Sequence, residues 1–458
     1  MDQPEKGSKK LLNAWAFYDW ANSVYTLTIA SSIFPLYYAS LFAGALEKNV
    51  EAFGMVFKST ALITYLTAFT FLVVTFTSPI LSGIADYVGN KKSFMKFFCY
   101  MGGLGCIGLF WFSLDHIYLS LLFYFMGLLG YWGSLVFYNS YLPDIAFPEQ
   151  QDRISAKGFS WGYIGSVILL VINLVMILYP DIFGFDTSIS DKIRETGSEQ
   201  EITEALKEAN NRASVDAMRV SFIMVGIWWV LFSQYTFMVL PVGISKGKKV
   251  TKDVVFNGLR ELRQVWSQLH ENLRLKRYLV AFFVFSMAVQ TIMLIAVYFG
   301  EEEIAWGDAD AKTMGLIGSI LIIQLVAVLG AWLTSRASSK FGNIKTLIFV
   351  NFIWMSLCVY AYFMVSPIQF YIAASIVGFV MGGIQSLARS TYSKFLPETK
   401  DTTSYFSFFD VAEKIGIVIG MGIFATIDQI TGSMRNAILF LFIFFLVGIV
   451  LLFRVPKN

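Results

Sequence analysis

Residues 82–92 read SGIADYVGNKK, a polar turn that holds two glycines, ends in two lysines and is set between apolar runs at 60–84 and 94–113. Residues 335–345, SRASSKFGNIK, share its Ser, Gly, Asn and Lys at matching places and again separate two apolar runs. A bilayer core about 30 Å thick is crossed by roughly 20 apolar helical residues. Runs of that kind fall near 14–43, 60–84, 94–113, 117–139, 159–179 and 219–240. They resume near 278–299, 313–335, 345–365, 367–390, 403–427 and 435–454. The expected fold is an all-α membrane protein with twelve transmembrane helices in two six-helix pseudo-repeats. Its predicted parts are a first half at 1–240, a basic connection with an amphipathic helix at 241–277, and a second half at 278–458. Two further matches support duplication: YLPDIAFPE (141–149) is echoed by FLPETKD (395–401), and AFYDWANSVY (16–25) lies on AFFVFSMAVQ (281–290).

Composition agrees. Of 458 residues, 56% are hydrophobic and 15% charged, against about 45–50% and about 25% in soluble domains. This excludes a soluble enzyme or nucleic-acid binder. The three cysteines lie in apolar runs and the two histidines in polar connections, so neither disulfides nor a metal cage is expected. Lys9 and Lys10 precede an apolar run too long for a cleavable signal peptide, which reads as a first span.

With the N-terminus inside, the inner connections and helix ends hold 25 of the 35 basic residues, nine of them from Lys246 to Arg277. The positive-inside bias predicts both termini in the cytoplasm. Ser198 and Glu201 form a possible capping box before Ile202, Ala205, Leu206 and Ala209, expected as a short cap over the outer face. In the 241–277 connection Val255, Leu259, Leu262, Val265, Trp266, Leu269 and Leu273 recur at helical spacing among Arg260, Arg263 and Arg274. A helix along the membrane surface or under the bundle explains that pattern.

Gly83, Asp86, Gly89 and Lys91–Lys92 fit the G-x-x-x-D-x-x-G-x-[KR]-[KR] signature that the major facilitator superfamily carries between spans 2 and 3. Tyr18-Asp19-Trp20-Ala21-Asn22-Ser23 resembles the opening of span 1 in the vacuolar-effluxer-like branch, which includes bacterial members and fungal vacuolar amino-acid effluxers. The blocks at 141–146, 153–156, 162–166 and 382–398, with Glu413-Lys414, continue the likeness over nearly the whole chain. Ser407 and Met421 depart from it, standing where a glycine and a Gly-Pro pair are usual. The resemblance implies the major facilitator fold and efflux of amino acids or other small metabolites by alternating access.

Intramembrane ionisable groups are costly, and each is a functional hypothesis. Asp19, Asn22, Ser23 and Thr26 share one helical face on span 1. Asp19 is read either as a substrate ligand or as a carboxylate near the cytoplasmic end that holds a neighbouring helix. Tyr18, Asn22, Trp161 and Tyr163 are the other expected substrate contacts. On span 11 Asp410 and Lys414 have ion-pair spacing, which leaves Glu413 free to exchange a proton. The other reading makes Asp410, Glu413 and Lys414 an interdomain clamp. Gly83, Asp86, Gly89, Lys92 and Arg389 are the expected gate.

No phosphate loop, zinc-protease motif or nucleophile elbow is present, so the chain is expected to be neither an ATP-driven pump nor an enzyme, and to need no cofactor. The preferred mechanism is proton coupling, in the inner membrane of a bacterium, with a small molecule, protons and membrane lipids as partners and no nucleic acid. A drug or sugar exporter of the same fold, an uncoupled facilitator and a non-transporting scaffold or sensor are the alternatives.

Overall fold

A computed structural model describes residues 4–42, 49–242 and 253–456. The first half holds α1 (Lys9–Val24), α2 (Ile33–Ser40), α3 (Ser59–Val88), α4 (Lys91–Gly108) and α5 (Ile117–Ser140). It continues with α6 (Leu142–Ile145), α7 (Pro148–Leu178), α8 (Asp191–Thr196) and α9 (Glu199–Val239). Then follow α10 (Asp253–Glu271), α11 (Leu273–Glu303), α12 (Ala309–Phe341) and α13 (Asn343–Phe363). The last helices are α14 (Pro367–Phe395), α15 (Thr402–Thr431) and α16 (Met434–Phe453). A two-stranded hairpin, β1 (Asn49–Ala52) and β2 (Met55–Lys58), joins the first and second spans.

Among the described residues ten helices are long and apolar enough to cross a membrane. The two remaining crossings expected from the sequence hold the intramembrane acids Asp19, Asp410 and Glu413. α15 has the length, but Asp410, Glu413 and Lys414 lie within it. The first apolar run is not one continuous helix: α1 passes into a π-helical segment at Tyr25–Ala30, and α2 restarts after Ser31 and Ser32. Pro35 in the first turn of α2 supplies no N–H and crowds the carbonyl four residues back, so the helix restarts just before it.

Two apolar cores form, one drawn from residues between Leu11 and Leu240, the other chiefly from residues between Val265 and Val455. Matching caps mark the duplication. Gly89 and Gly342 end α3 and α12, both at positive φ (70° and 86°), which glycine enters without Cβ strain, though Gly89 is left-handed helical (ψ 32°) and Gly342 extended (ψ 154°). At the opposite end Arg219 donates to the Phe110 carbonyl (2.7 Å), and Arg435 to those of Tyr362 and Met364 (3.0 and 2.5 Å). In each half the sixth span thereby caps the end of the third.

The expected outer cap is corrected. The Ser198–Glu201 capping box forms, but it starts a 41-residue helix that continues into the sixth span. That helix is about 60 Å long, so its first turns stand beyond the bilayer. Leu206 is exposed, and continuous burial begins only with Ala209, Ala213 and Ala217. In the basic connection Lys246, Lys248, Lys249 and Lys252 lie outside the described residues, as do the side chains of Val255, Leu259 and Leu262.

Candidate functional site

The α3–α4 turn, the α5–α7 connection, the α12–α13 turn and the α14–α15 connection lie at one end of the bundle, here called the basic end. Near it, Asp19 on α1 and Arg389 on α14 pair at 3.2 Å, both almost fully buried, across the seam between the two cores. The Tyr138 hydroxyl donates to the same carboxylate oxygen at 2.8 Å. Arg389 also donates to Ser155 Oγ (2.9 Å), to the Ser155 carbonyl (3.0 Å) and to Asn139 Oδ1 (3.2 Å). Its guanidinium lies against the rings of Phe159 and Trp15, at 4.2 and 4.8 Å. Gly158 makes the approach possible, because a Cβ there would stand 2.4 Å from Asp19 Oδ2. A buried pair survives desolvation only when its remaining donors are satisfied, and α5 and α7 supply these partners through Tyr138, Asn139 and Ser155.

Two further ties close the basic end. Asp86, at the end of α3, accepts from the Ser404 N–H (2.7 Å), the Ser404 hydroxyl (2.8 Å) and the Thr403 N–H (3.4 Å). It therefore caps the N-terminus of α15, where unpaired N–H groups and the helix dipole favour an anion. Lys91 Nζ bridges Asp144 (2.5 Å), the Ser140 carbonyl (2.9 Å) and Thr402 Oγ1 (3.0 Å). On the opposite flank Asp152 accepts from Lys394 (2.6 Å), Ser338 (2.9 Å) and Asn343 (2.9 Å).

Lys92, expected in the gate, is corrected: its Nζ caps the Leu240 carbonyl at the end of α9, within its own half. One helical step, about 100°, separates it from Lys91, which crosses the seam. Gly83 is buried within α3, and Gly89 closes that helix. Asp86→Asn is expected to impair transport without unfolding the protein. The charge–dipole interaction is worth about 0.3–2 kcal/mol, enough to shift a two-state balance by up to roughly thirtyfold. Wild-type transport with an unchanged melting temperature would reduce Asp86 to a turn residue.

Further along α15, Lys414 is buried in an ion pair with Asp410 and lies 3.7 Å from Glu413 Oε2. Its ammonium also sits 3.8 Å from the ring centre of Trp132 on α5, across the seam. Gln290 Nε2 donates to Glu413 Oε1 at 2.6 Å. Glu413 therefore has two local partners, where pairing of Asp410 with Lys414 left it none. Asp410 Oδ2 is buried without a hydrogen-bond partner.

The other expected substrate residues divide. Tyr163 crosses the seam to Gln385 at 2.7 Å. Asn22 is fully buried, takes the Ser23 hydroxyl at 3.3 Å and keeps Nδ2 without a partner. Trp161 packs within the first half against Lys157 and Phe17. Tyr18 lies in the first core against Tyr138 and Phe237 rather than on the seam. One residue of rotation from Asp19 turns it away. Asp152 and Ser155 escaped the sequence reading, since a helix-start acid and a serine are unremarkable until their partners arrive from the other half.

Against known proteins, the chain matches the family described as "Vacuole effluxer Atg22 like" over residues 7–190 and 200–458. The chain belongs to the vacuole effluxer Atg22-like family. It is 31% identical to the MFS-type transporter YxiO of Bacillus subtilis over 97% of this chain and 95% of that one. It is 22% identical to autophagy-related protein 22 of Kluyveromyces lactis, over 80% and 74%. Its fold is similar to the E. coli fucose:proton symporter FucP, with a TM-score of 0.66, 17% identity and 98% of both chains covered. This Atg22-like chain is a multi-pass membrane transporter of the major facilitator superfamily, the fold its turn motif implied.

Proposed function

We propose that the protein exports amino acids or other small metabolites in exchange for protons, by alternating access between its two halves. Both termini then face the cytoplasm of a bacterial cell. The observation that carries the reading is the arrangement of buried charge along the seam. Asp19–Arg389, Asp86 and Asp152 hold the basic end shut, while Glu413 and Lys414 stand about 16 Å further along α15 from Thr402. A proton on Glu413 removes its attraction for Lys414 and leaves the lysine to Asp410. That exchange is coupled to the seam through the contact of Lys414 with Trp132. Asn22 Nδ2 and Asp410 Oδ2, buried without partners, are groups that a bound polar substrate or water satisfies. The name of the matching family, a vacuole effluxer, supports the direction of transport.

The test has two stages. Purified protein is first screened by thermal shift against amino acids and related metabolites, since a ligand stabilises by RT ln(1 + [L]/Kd). Proteoliposomes are then given an imposed pH gradient and the stabilising compound. Accumulation that collapses with a protonophore supports the proposal, and equilibration without accumulation defeats the coupling. For orientation, a cysteine replacing Lys340 is expected to label from the cytoplasm and one replacing Gln200 from outside. Reversed labelling would invert the topology.

A further inference from the structure

The basic connection has an unexplained construction. Between residues 241 and 277 it carries nine Lys or Arg against only Asp253, Glu261 and Glu271, an excess of positive charge that its own acids do not balance. Within it α10 packs against α3 and α15, the two helices that Asp86 ties together. Val265 and Leu269 are buried in the second core. Gln268 Oε1 accepts from the Tyr405 hydroxyl at 2.9 Å, one residue beyond the Ser404 that Asp86 holds. Away from these contacts the helix is exposed: Phe256 at 71%, Trp266 at 51% although its ring packs on Phe408, and Arg260 and Arg263 beside them.

Arginines interleaved with exposed aromatic rings on an amphipathic helix suit a membrane interface whose headgroups are negative. A soluble acidic partner would match the arginines but would give Phe256 no hydrocarbon to enter. We infer that α10 is a clasp for anionic lipid: Arg260 and Arg263 bind headgroup phosphates, Phe256 enters the interface, and the docked helix holds the α3–α15 contact closed. Docking stands on the geometry of α10 alone; its effect on the gate rests on the alternating-access reading.

The experiment uses the full chain in phosphatidylcholine vesicles, with or without brominated phosphatidylglycerol. A fluorophore on a cysteine replacing Phe256 reads docking by bromine quenching. In a separate sample, spin labels at Glu149 and Lys340, exposed positions on either side of the seam at the basic end, read the gate. Anionic lipid is expected to produce quenching and to enrich the short spin-label distance. Added salt weakens both effects, and Arg260→Gln with Arg263→Gln lowers docking by roughly thirtyfold. Quenching of equal strength with brominated phosphatidylcholine, or unaffected by the glutamines, overturns the proposal. Quenching that follows headgroup charge while the distance responds only to substrate overturns the clasp but leaves alternating access standing. A distance that responds to neither lipid nor substrate overturns both.

Discussion

Asp19→Asn is expected to unlock the basic end. The substitution leaves the Arg389 guanidinium buried among Ser155, Asn139 and aromatic rings, with no carboxylate to balance it. Removing one partner of a buried pair costs about 3–5 kcal/mol. That cost falls on the arrangement in which the two halves meet, because opening returns Arg389 to water. The closed population should drop by two to three and a half orders of magnitude, visible as longer distances between labels at Glu149 and Lys340. Arg389→Gln should act in the same direction. The double variant should recover part of the loss, since neither charge is then stranded. Gly158→Ala offers a check that leaves both charges in place: its Cβ would crowd Asp19 Oδ2 and shift the balance the same way. If Asp19 is instead a substrate ligand, Asp19→Asn will weaken binding while the distances stay short, and the lock is lost as an explanation.

Glu413→Gln is expected to abolish pH-driven accumulation while sparing exchange of substrate across the membrane. The amide keeps an oxygen for Gln290 Nε2, so the local packing survives. It cannot carry a proton, and Lys414 remains with Asp410 throughout the cycle. One-proton coupling concentrates substrate up to about tenfold per unit of pH gradient. The variant should therefore bring the accumulation ratio to one, with counterflow near the wild-type rate. Accumulation that persists in Glu413→Gln moves the coupling role away from this carboxylate. A loss of exchange as well would place Glu413 in the substrate site itself.

Much of the molecule was legible before folding because the bilayer reads composition. Wherever about 20 apolar residues run together the backbone must satisfy its own hydrogen bonds, and a helix follows whatever its neighbours are. Local spacing is equally self-contained. Asp410 and Lys414, four residues apart, meet on their own helix, and Gly89 supplies the positive φ that ends α3. The partnerships across the seam are of another kind. Asp19 and Arg389 are 370 residues apart, and either alone is only a charged residue near a span end. Lys91 and Lys92 are adjacent, yet packing sends one to Thr402 in the second half and keeps the other on α9. Asp152 carried no signal, since the Ser338, Asn343 and Lys394 that define it come from two distant stretches of the other half. Apolar content and local spacing suffice to form each helix; which polar atoms then meet depends on the rotation and depth at which separate helices pack, and a buried charge takes its role from that meeting.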